Sequence, residues 1–89
     1  MTTYNYPVIQ GELTGQRLKS LRKRKGIKVP AVCAYLGGIS EQAVYKWERG
    51  ASLPTIENLL ALSRLYEVQM EDLLVYEEVL VTSLFFFFF

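Results

Sequence analysis

The chain of 89 residues has no histidine and a single cysteine, Cys33. One cysteine cannot form an internal disulfide, and without histidine or a second thiol there is no set of ligands for zinc or another soft metal. A nucleophile with a nearby base and a glycine-rich phosphate loop are also missing, so no catalytic constellation can be drawn. We therefore expect a protein without metal or cofactor that is not an enzyme, with Cys33 as a small core residue.

A hydrophobic run long enough to cross a bilayer is also lacking. The longest uncharged apolar segment, residues 79–89, has 11 residues and ends in five phenylalanines, whereas a spanning helix needs about 20. The N-terminus shows no basic segment followed by an apolar one, as a secretory leader would. These features predict a cytoplasmic protein with no membrane partner, in a compartment that keeps thiols reduced.

The net charge of +1 conceals an uneven distribution along the chain. Residues 1–50 hold nine Lys or Arg and three acidic residues, whereas residues 51–89 hold one basic and six acidic residues. The anion-attracting surface is therefore in the first half. The basic run at residues 22–25 alone fits a solvated helix face equally well, but a turn and helix close by favour nucleic acid.

The most informative stretch is residues 36–50, which is typical of a sharp turn followed by a short capped helix. Gly37 and Gly38 break the chain, Ser40 can cap a helix that begins at the next residue, and Gly50 can end it in a left-handed conformation. Its apolar residues are spaced to point inward, and its opposite face carries Glu41, Gln42, Tyr45 and Lys46. Glutamine and lysine are side chains that read base edges in a major groove.

The rest of the chain predicts further short helices. The first is expected from a cap at Thr14 to about Lys25, the second over residues 29–36, and a short fifth helix over residues 70–74. The fourth is expected after a cap at Thr55, with a broad buried face of Ile56, Leu59, Leu60, Leu62 and Tyr66. Together they predict an all-α, compact five-helix bundle over residues 13–74, with an irregular or extended arm at residues 1–12 and a hydrophobic tail at residues 75–89.

These helices resemble the Cro/C1-type, XRE-like helix-turn-helix family, which has the lambda-repressor-like DNA-binding fold. The resemblance covers about residues 13–74 and rests on Leu13, Gly15, Leu18, Leu21, Arg22, Leu36, Gly37, Val44, Trp47, Glu48, Arg49, Gly50, Pro54, Thr55, Leu59, Leu62, Val68, Asp72, Leu73 and Leu74. It implies a dimer, or occasionally a monomer, whose third helix enters the major groove of double-stranded DNA while the second crosses the backbone. The implied function is a sequence-specific transcriptional regulator of bacterial or phage type, a repressor or antitoxin-like autoregulator.

The same resemblance assigns roles to individual residues. Glu41, Gln42 and Lys46 take the base-facing positions, while Tyr45 either contacts DNA through its hydroxyl or packs on the domain. The phosphate contacts fall to Lys28, Arg49 and the backbone N–H groups at Gly50 and Ala51, with Arg17 and Arg24 as weaker candidates. Arg22 and Glu48 correspond to a structural pair that joins the first helix to the third. Trp47 is assigned to the core on a separate ground, because it lies beside Val44 on one helical stripe.

Two alternatives remain open at this stage. The chain could keep the fold as a protein-interaction module, antitoxin-like or oligomerising, with weak or no DNA binding, because the overall charge is near neutral and Val29 stands where the family commonly has glutamine. The tail could add a strand in a dimer, anchor a partner or have no function. In each case we expect the tail to be dispensable for the fold.

Overall fold

The computed structural model describes residues 3–82. In chain order it contains strand β1 (Thr3–Ile9), helices α1 (Gly11–Arg24), α2 (Val29–Tyr35), α3 (Glu41–Arg49) and α4 (Ile56–Tyr66), a 3₁₀ helix (Met70–Leu73) and strand β2 (Tyr76–Thr82). The helix-turn-helix consists of α2, the turn after it and α3. No helix within these residues is long and apolar enough to span a membrane.

The expectation of an all-α five-helix bundle is wrong. β1 and β2 pair as an antiparallel ribbon, with Thr3 opposite Thr82 and Ile9 opposite Tyr76, and the fifth helix is only a 3₁₀ turn. The described chain is therefore mixed α and β around a helical helix-turn-helix unit. The paired strands are more than 60 residues apart in sequence, and the local pattern of neither segment indicates its partner. Of the predicted tail at residues 75–89, residues 83–89 with the five phenylalanines lie outside the described residues, and the three alternatives for the role of the tail remain predictions.

Thr14 does not cap α1 as expected. The helix begins at Gly11, with Gln10 in the position before it, and the Thr14 side chain is fully buried. Its Oγ1 accepts a hydrogen bond from the Val75 N–H at 3.0 Å and donates to the Val75 carbonyl at 3.3 Å. The Gln10 N–H also donates to that carbonyl, at 2.8 Å. Thr14 therefore fastens α1 to the start of the second strand.

The helix α4 starts where predicted but buries a narrower face than predicted. Thr55 caps it by accepting a hydrogen bond from the Asn58 N–H at 3.2 Å. Ile56 and Leu60 are 75% and 45% exposed, so their assignment to the buried face is wrong. Residues four apart share one side of a helix, and this pair lies on the side turned from the core. The core stripe of α4 is formed by Leu59, Leu62 and Tyr66.

The core joins all four helices and the 3₁₀ turn. Its buried apolar residues are Leu18, Leu21, Val29, Val32, Cys33, Val44, Trp47, Leu59, Leu62, Tyr66 and Leu73. This confirms the core placement of Cys33 and Trp47. Burial raises the pKa of the Cys33 thiol, and a thiol that resists ionisation is a poor nucleophile or metal ligand.

Tyr66 makes the stability of the fold sensitive to alkaline pH. Burial, followed by the nearby carboxylate of Glu48, raises the pKa of Tyr66 to about 12, whereas the pKa of a tyrosine in an unfolded chain is about 10. The neutral phenol is thus favoured in the folded state. Its contribution is fully present below about pH 10 and is lost as the pH rises toward about 12.

We expect Tyr66→Phe to flatten the loss of unfolding free energy between about pH 10 and pH 12, since the substituted side chain cannot ionise. Urea titrations across this range would measure the slope. Tyr35→Phe is the matched control because Tyr35 is 49% exposed. Identical alkaline slopes for both variants would show that Tyr66 does not cause the decline.

Candidate nucleic-acid interface

The turn between α2 and α3 depends on two consecutive glycines. Gly37 and Gly38 have φ values of 82° and 96°, which lie in the left-handed region that glycine adopts without steric cost. Their N–H groups donate to the carbonyls of Ala34 and Cys33 at 3.2 and 2.9 Å. These bonds close the end of α2 and redirect the chain into α3.

The predicted boundaries of α3 are confirmed. Ser40 precedes the helix in an extended conformation, and its side chain accepts a hydrogen bond from the Ala43 N–H at 3.2 Å. Gly50 ends it with a left-handed φ of 76°. Val44 and Trp47 are buried, at 2% and 6% exposure, so one face of α3 is fixed in the core and the other faces solvent.

The solvent face of α3 forms a shallow open depression lined by Gln42, Tyr45, Lys46 and Arg49. These positions share one side of a helix because they are separated by three, four and seven residues. Glu41 is exposed at the first position of α3 and is not among the lining residues. The lining groups are an amide, a phenol and two cations, all of which can donate hydrogen bonds.

The cations expected to contact phosphate lie in different settings. Lys28 is exposed directly before α2, and Arg24 is exposed at the end of α1. Arg17 instead donates from Nε to the carbonyl of Asp72 at 2.9 Å, and so ties α1 to the 3₁₀ turn. No sequence pattern indicates this bond, since its acceptor is a main-chain carbonyl 55 residues away.

The backbone groups at the end of α3 are already engaged within the chain. The Gly50 N–H donates to the Trp47 carbonyl at 3.0 Å, and the Ala51 N–H donates to the Lys46 carbonyl at 2.9 Å. If either N–H group also donated a hydrogen bond to a phosphate, the phosphate would share that donor with the carbonyl it already contacts. A Cβ on Gly50 would lie 2.5 Å from the Glu12 Cα, so this glycine is needed for the approach of α1.

A buried ion pair fixes α3 against α1. Arg22 donates from Nε to Glu48 Oε2 at 2.7 Å and from Nη2 to Oε1 at 3.1 Å, with side-chain exposures of 10% and 4%. Its Nη1 also donates to the Ile27 carbonyl at 3.1 Å. The hydrogen bonds to Glu48 raise the pKa of Arg22 against the opposing effect of burial. The pair joins the two helices as the resemblance implied.

Comparison with known proteins shows the family. A family model described as helix-turn-helix matches residues 18–73, which is more than half of the chain. The chain belongs to this family, in its Cro/C1-type branch.

Individual relatives agree with this assignment. Repressor protein C2 of Salmonella phage P22 is 36% identical over 63 residues, which are 71% of this chain and 29% of that protein. The chain thus spans less than a third of that relative. The solved structure of the P22 c2 repressor in complex with a synthetic operator has a TM-score of 0.63 at 36% identity, covering 68% of this chain and 91% of that one. The restriction-modification controller protein C.AhdI from Aeromonas hydrophila has a TM-score of 0.64 at 27% identity, covering 71% and 94%.

Proposed function

We propose that this chain is a sequence-specific, double-stranded-DNA-binding transcriptional regulator of bacterial or phage type. It acts in the cytoplasm as a homodimeric repressor, by occupying its operator and not by catalysis. The observation that carries the proposal is the two-sided setting of α3, whose inner face is fixed in the core while its outer face presents Gln42, Tyr45, Lys46 and Arg49 together. The similarity to a repressor that was solved with its operator supports the same function.

The outer face of α3 suits the major groove. Gln42 can pair with N6 and N7 of adenine, and Lys46 can donate to O6 or N7 of guanine. Glu41 at the start of the helix can accept from N4 of cytosine, and it repels phosphate at other positions. Tyr45, which is 44% exposed, can donate through its hydroxyl to a base edge or a phosphate.

The phosphate contacts would frame this face. Lys28 before α2 and Arg49 in the last turn of α3 are the leading cations, and both are exposed. Arg24, exposed at the end of α1, is a weaker candidate. Arg17 is also weaker, because its Nε already donates to the Asp72 carbonyl. Such contacts position a protein on the duplex without reading its sequence. Gly50 and Ala51 contribute less, because their N–H groups close α3.

We expect Lys46→Ala and Lys28→Ala to weaken DNA binding in different ways. On a site selected from a random duplex library, Lys46→Ala should cost about 1–3 kcal/mol and relax the preference at one or two positions. Lys28→Ala should weaken binding to all sequences about equally. It should also reduce by about 1 the slope of the logarithm of the binding constant against the logarithm of the salt concentration. Fluorescence anisotropy on the selected site and its single-base variants would measure both.

Lys19→Ala is the matched control for charge removal, since Lys19 is an exposed lysine of α1 outside the assigned contacts. If Lys46→Ala lowered the affinity for all sequences equally, Lys46 would be assigned to the phosphate contacts and not to the base contacts. Absence of salt-dependent binding to any duplex would overturn the proposed function.

One observation favours a second candidate, a protein-interaction module. Ile56 and Leu60 on α4 and the preceding Leu53 are exposed apolar side chains, at 75%, 45% and 44%. Exposed apolar surface can mark a protein contact. Salt-dependent gel shifts on random duplex DNA separate the two candidates, because a module that has lost DNA binding would shift no duplex at low salt.

A further inference from the structure

The ribbon of β1 and β2 is an incomplete sheet. Every residue of β1 is exposed, and so are the first five of β2. Across residues 3–82 the sheet has only these two strands. An isolated two-stranded ribbon is marginally stable in water, and three or more strands are usually needed. The ribbon therefore suits the addition of another strand.

The outer edge of β1 is poorly suited to that addition. Gln10 continues the register opposite Val75 and donates its N–H to the Val75 carbonyl at 2.8 Å. Because antiparallel residues alternate between bonding the partner strand and pointing outward, Val8 bonds β2 while Pro7 and Asn5 face the outer edge. Proline has no N–H, so this edge lacks a donor at its centre.

The outer edge of β2 has no such block. By the same alternation Tyr76, Glu78 and Leu80 direct their N–H and carbonyl groups away from β1. None of them is proline, and Leu80 is 70% exposed. An unblocked edge of this kind is a template for pairing with another chain.

Charge and symmetry indicate which chain pairs there. The only charged residues of the two strands are Glu77 and Glu78, and acidic groups repel the phosphate backbone of nucleic acid. The outward N–H and carbonyl groups of β2 need main-chain partners. A second copy of β2 can supply them, because two identical strands that pair antiparallel are related by a two-fold axis. A two-fold dimer is also what a helix-turn-helix protein uses on a palindromic operator, and in this respect the inference rests on the proposed function.

We propose that two copies of this chain pair through the outer edges of their β2 strands and form a four-stranded antiparallel sheet. The order is β1, β2, the partner's β2 and the partner's β1, with Leu80 at the two-fold axis. A register centred on Glu78 would place like charges opposite each other, which is destabilising. A register centred on Leu80 places Glu78 opposite the partner's Thr82 and removes this repulsion.

The first test substitutes proline at each outer edge of the ribbon. Leu80→Pro removes an outward N–H of β2, and Asn5→Pro removes one from β1 at the residue opposite Leu80. Neither residue bonds across the ribbon, so both variants should keep the β1–β2 ladder. By sedimentation equilibrium on the full chain, we expect Leu80→Pro to raise the dimer dissociation constant about tenfold or more and Asn5→Pro to leave it unchanged. Circular dichroism checks that both variants fold.

The second test is a cross-link at the axis. Cα atoms in a hydrogen-bonded antiparallel pair are about 5.5 Å apart, within the range that a disulfide spans. Under mild oxidation Leu80→Cys should therefore form a covalent dimer. Asn5→Cys is the control on the opposite edge and should stay monomeric on non-reducing gels. Cys33 is buried and is shared by both proteins.

Several results would overturn the proposed interface. These are a parent chain that is monomeric at all concentrations, a Leu80→Pro variant that dimerises like the parent, and equal weakening by both prolines. Dissociation by Ile56→Glu with Leu80→Pro still dimeric would assign the contact to α4. Loss of the dimer on deletion of residues 83–89, with Leu80→Pro still dimeric, would assign it to that segment.

DNA binding by the same proteins separates this inference from the proposed function. A parent chain that binds a selected site as a monomer keeps the sequence-specific DNA binding of the proposed function and overturns both its homodimer and this interface. A parent chain that dimerises through β2 but binds no duplex keeps the interface and overturns the function.

Discussion

Glu48→Ala should destabilise the folded chain by about 3–5 kcal/mol, because it leaves the guanidinium of Arg22 buried without its carboxylate. The Arg22 side chain is only 10% exposed and donates two hydrogen bonds to Glu48. Domains of this size are stable by about 5–15 kcal/mol, so the variant should lose a large part of its cooperative stability. Urea unfolding followed by circular dichroism would measure the loss.

The double variant Arg22→Met/Glu48→Leu should recover much of that stability, since apolar side chains of similar volume remove both buried charges. The exposed pair of Lys25 and Glu67, with 3.2 Å between Nζ and Oε2, gives the matched control. Lys25→Ala should change stability by about 0–1 kcal/mol. Additive effects of the single and double variants would show that the buried pair has no coupling.

Gly15→Ala, which adds a single methyl group to α1, should strongly destabilise the packing of α1 against α3. A Cβ at this position would lie 2.6 Å from the carbonyl oxygens of Trp47 and Glu48 and 2.7 Å from the Gly50 nitrogen. All three atoms are main-chain, so no side chain can rotate away and α1 must separate from the end of α3. We expect a loss of about 3 kcal/mol or more, against a helix-propensity gain of at most about 1 kcal/mol.

Gly11→Ala is the control for this prediction. It lies in the same helix, and its added Cβ would meet only the Gly50 carbonyl oxygen at an ordinary 3.6 Å. Thermal unfolding should leave it close to the parent. DNA affinity adds a second measurement, because Gly15→Ala displaces the helix that carries Lys46. Similar unfolding temperatures for the two variants would contradict the close contact between the helices.

The parts of the fold that sequence predicted are those set by local chemistry. Ser40, Gly50 and Thr55 mark helix ends through bonds to residues only a few positions away, and the structure confirms each. The burial of Trp47 followed from a helical stripe. Such signals are contained in a short window, so they can be read before the tertiary structure is known.

The features that sequence missed depend on distant partners. β1 exists because β2 returns to it from the other end of the chain, and Thr14 is buried because Val75 offers it both a donor and an acceptor. At the candidate site, the family pattern gave the residues of the α3 face. It could not show that Arg17 is held by the Asp72 carbonyl.

The attachment of the ribbon at Val75 gives α1 a part in the geometry of a DNA complex. Through Thr14 and Gln10 the start of this helix sets the direction of the ribbon, and through Arg22 it holds α3. In a dimer joined at β2, α1 and the ribbon together would then set the distance and angle between the two α3 helices. The spacing of the operator half-sites that the dimer fits would depend on how far β2 extends from Val75 to the symmetry axis.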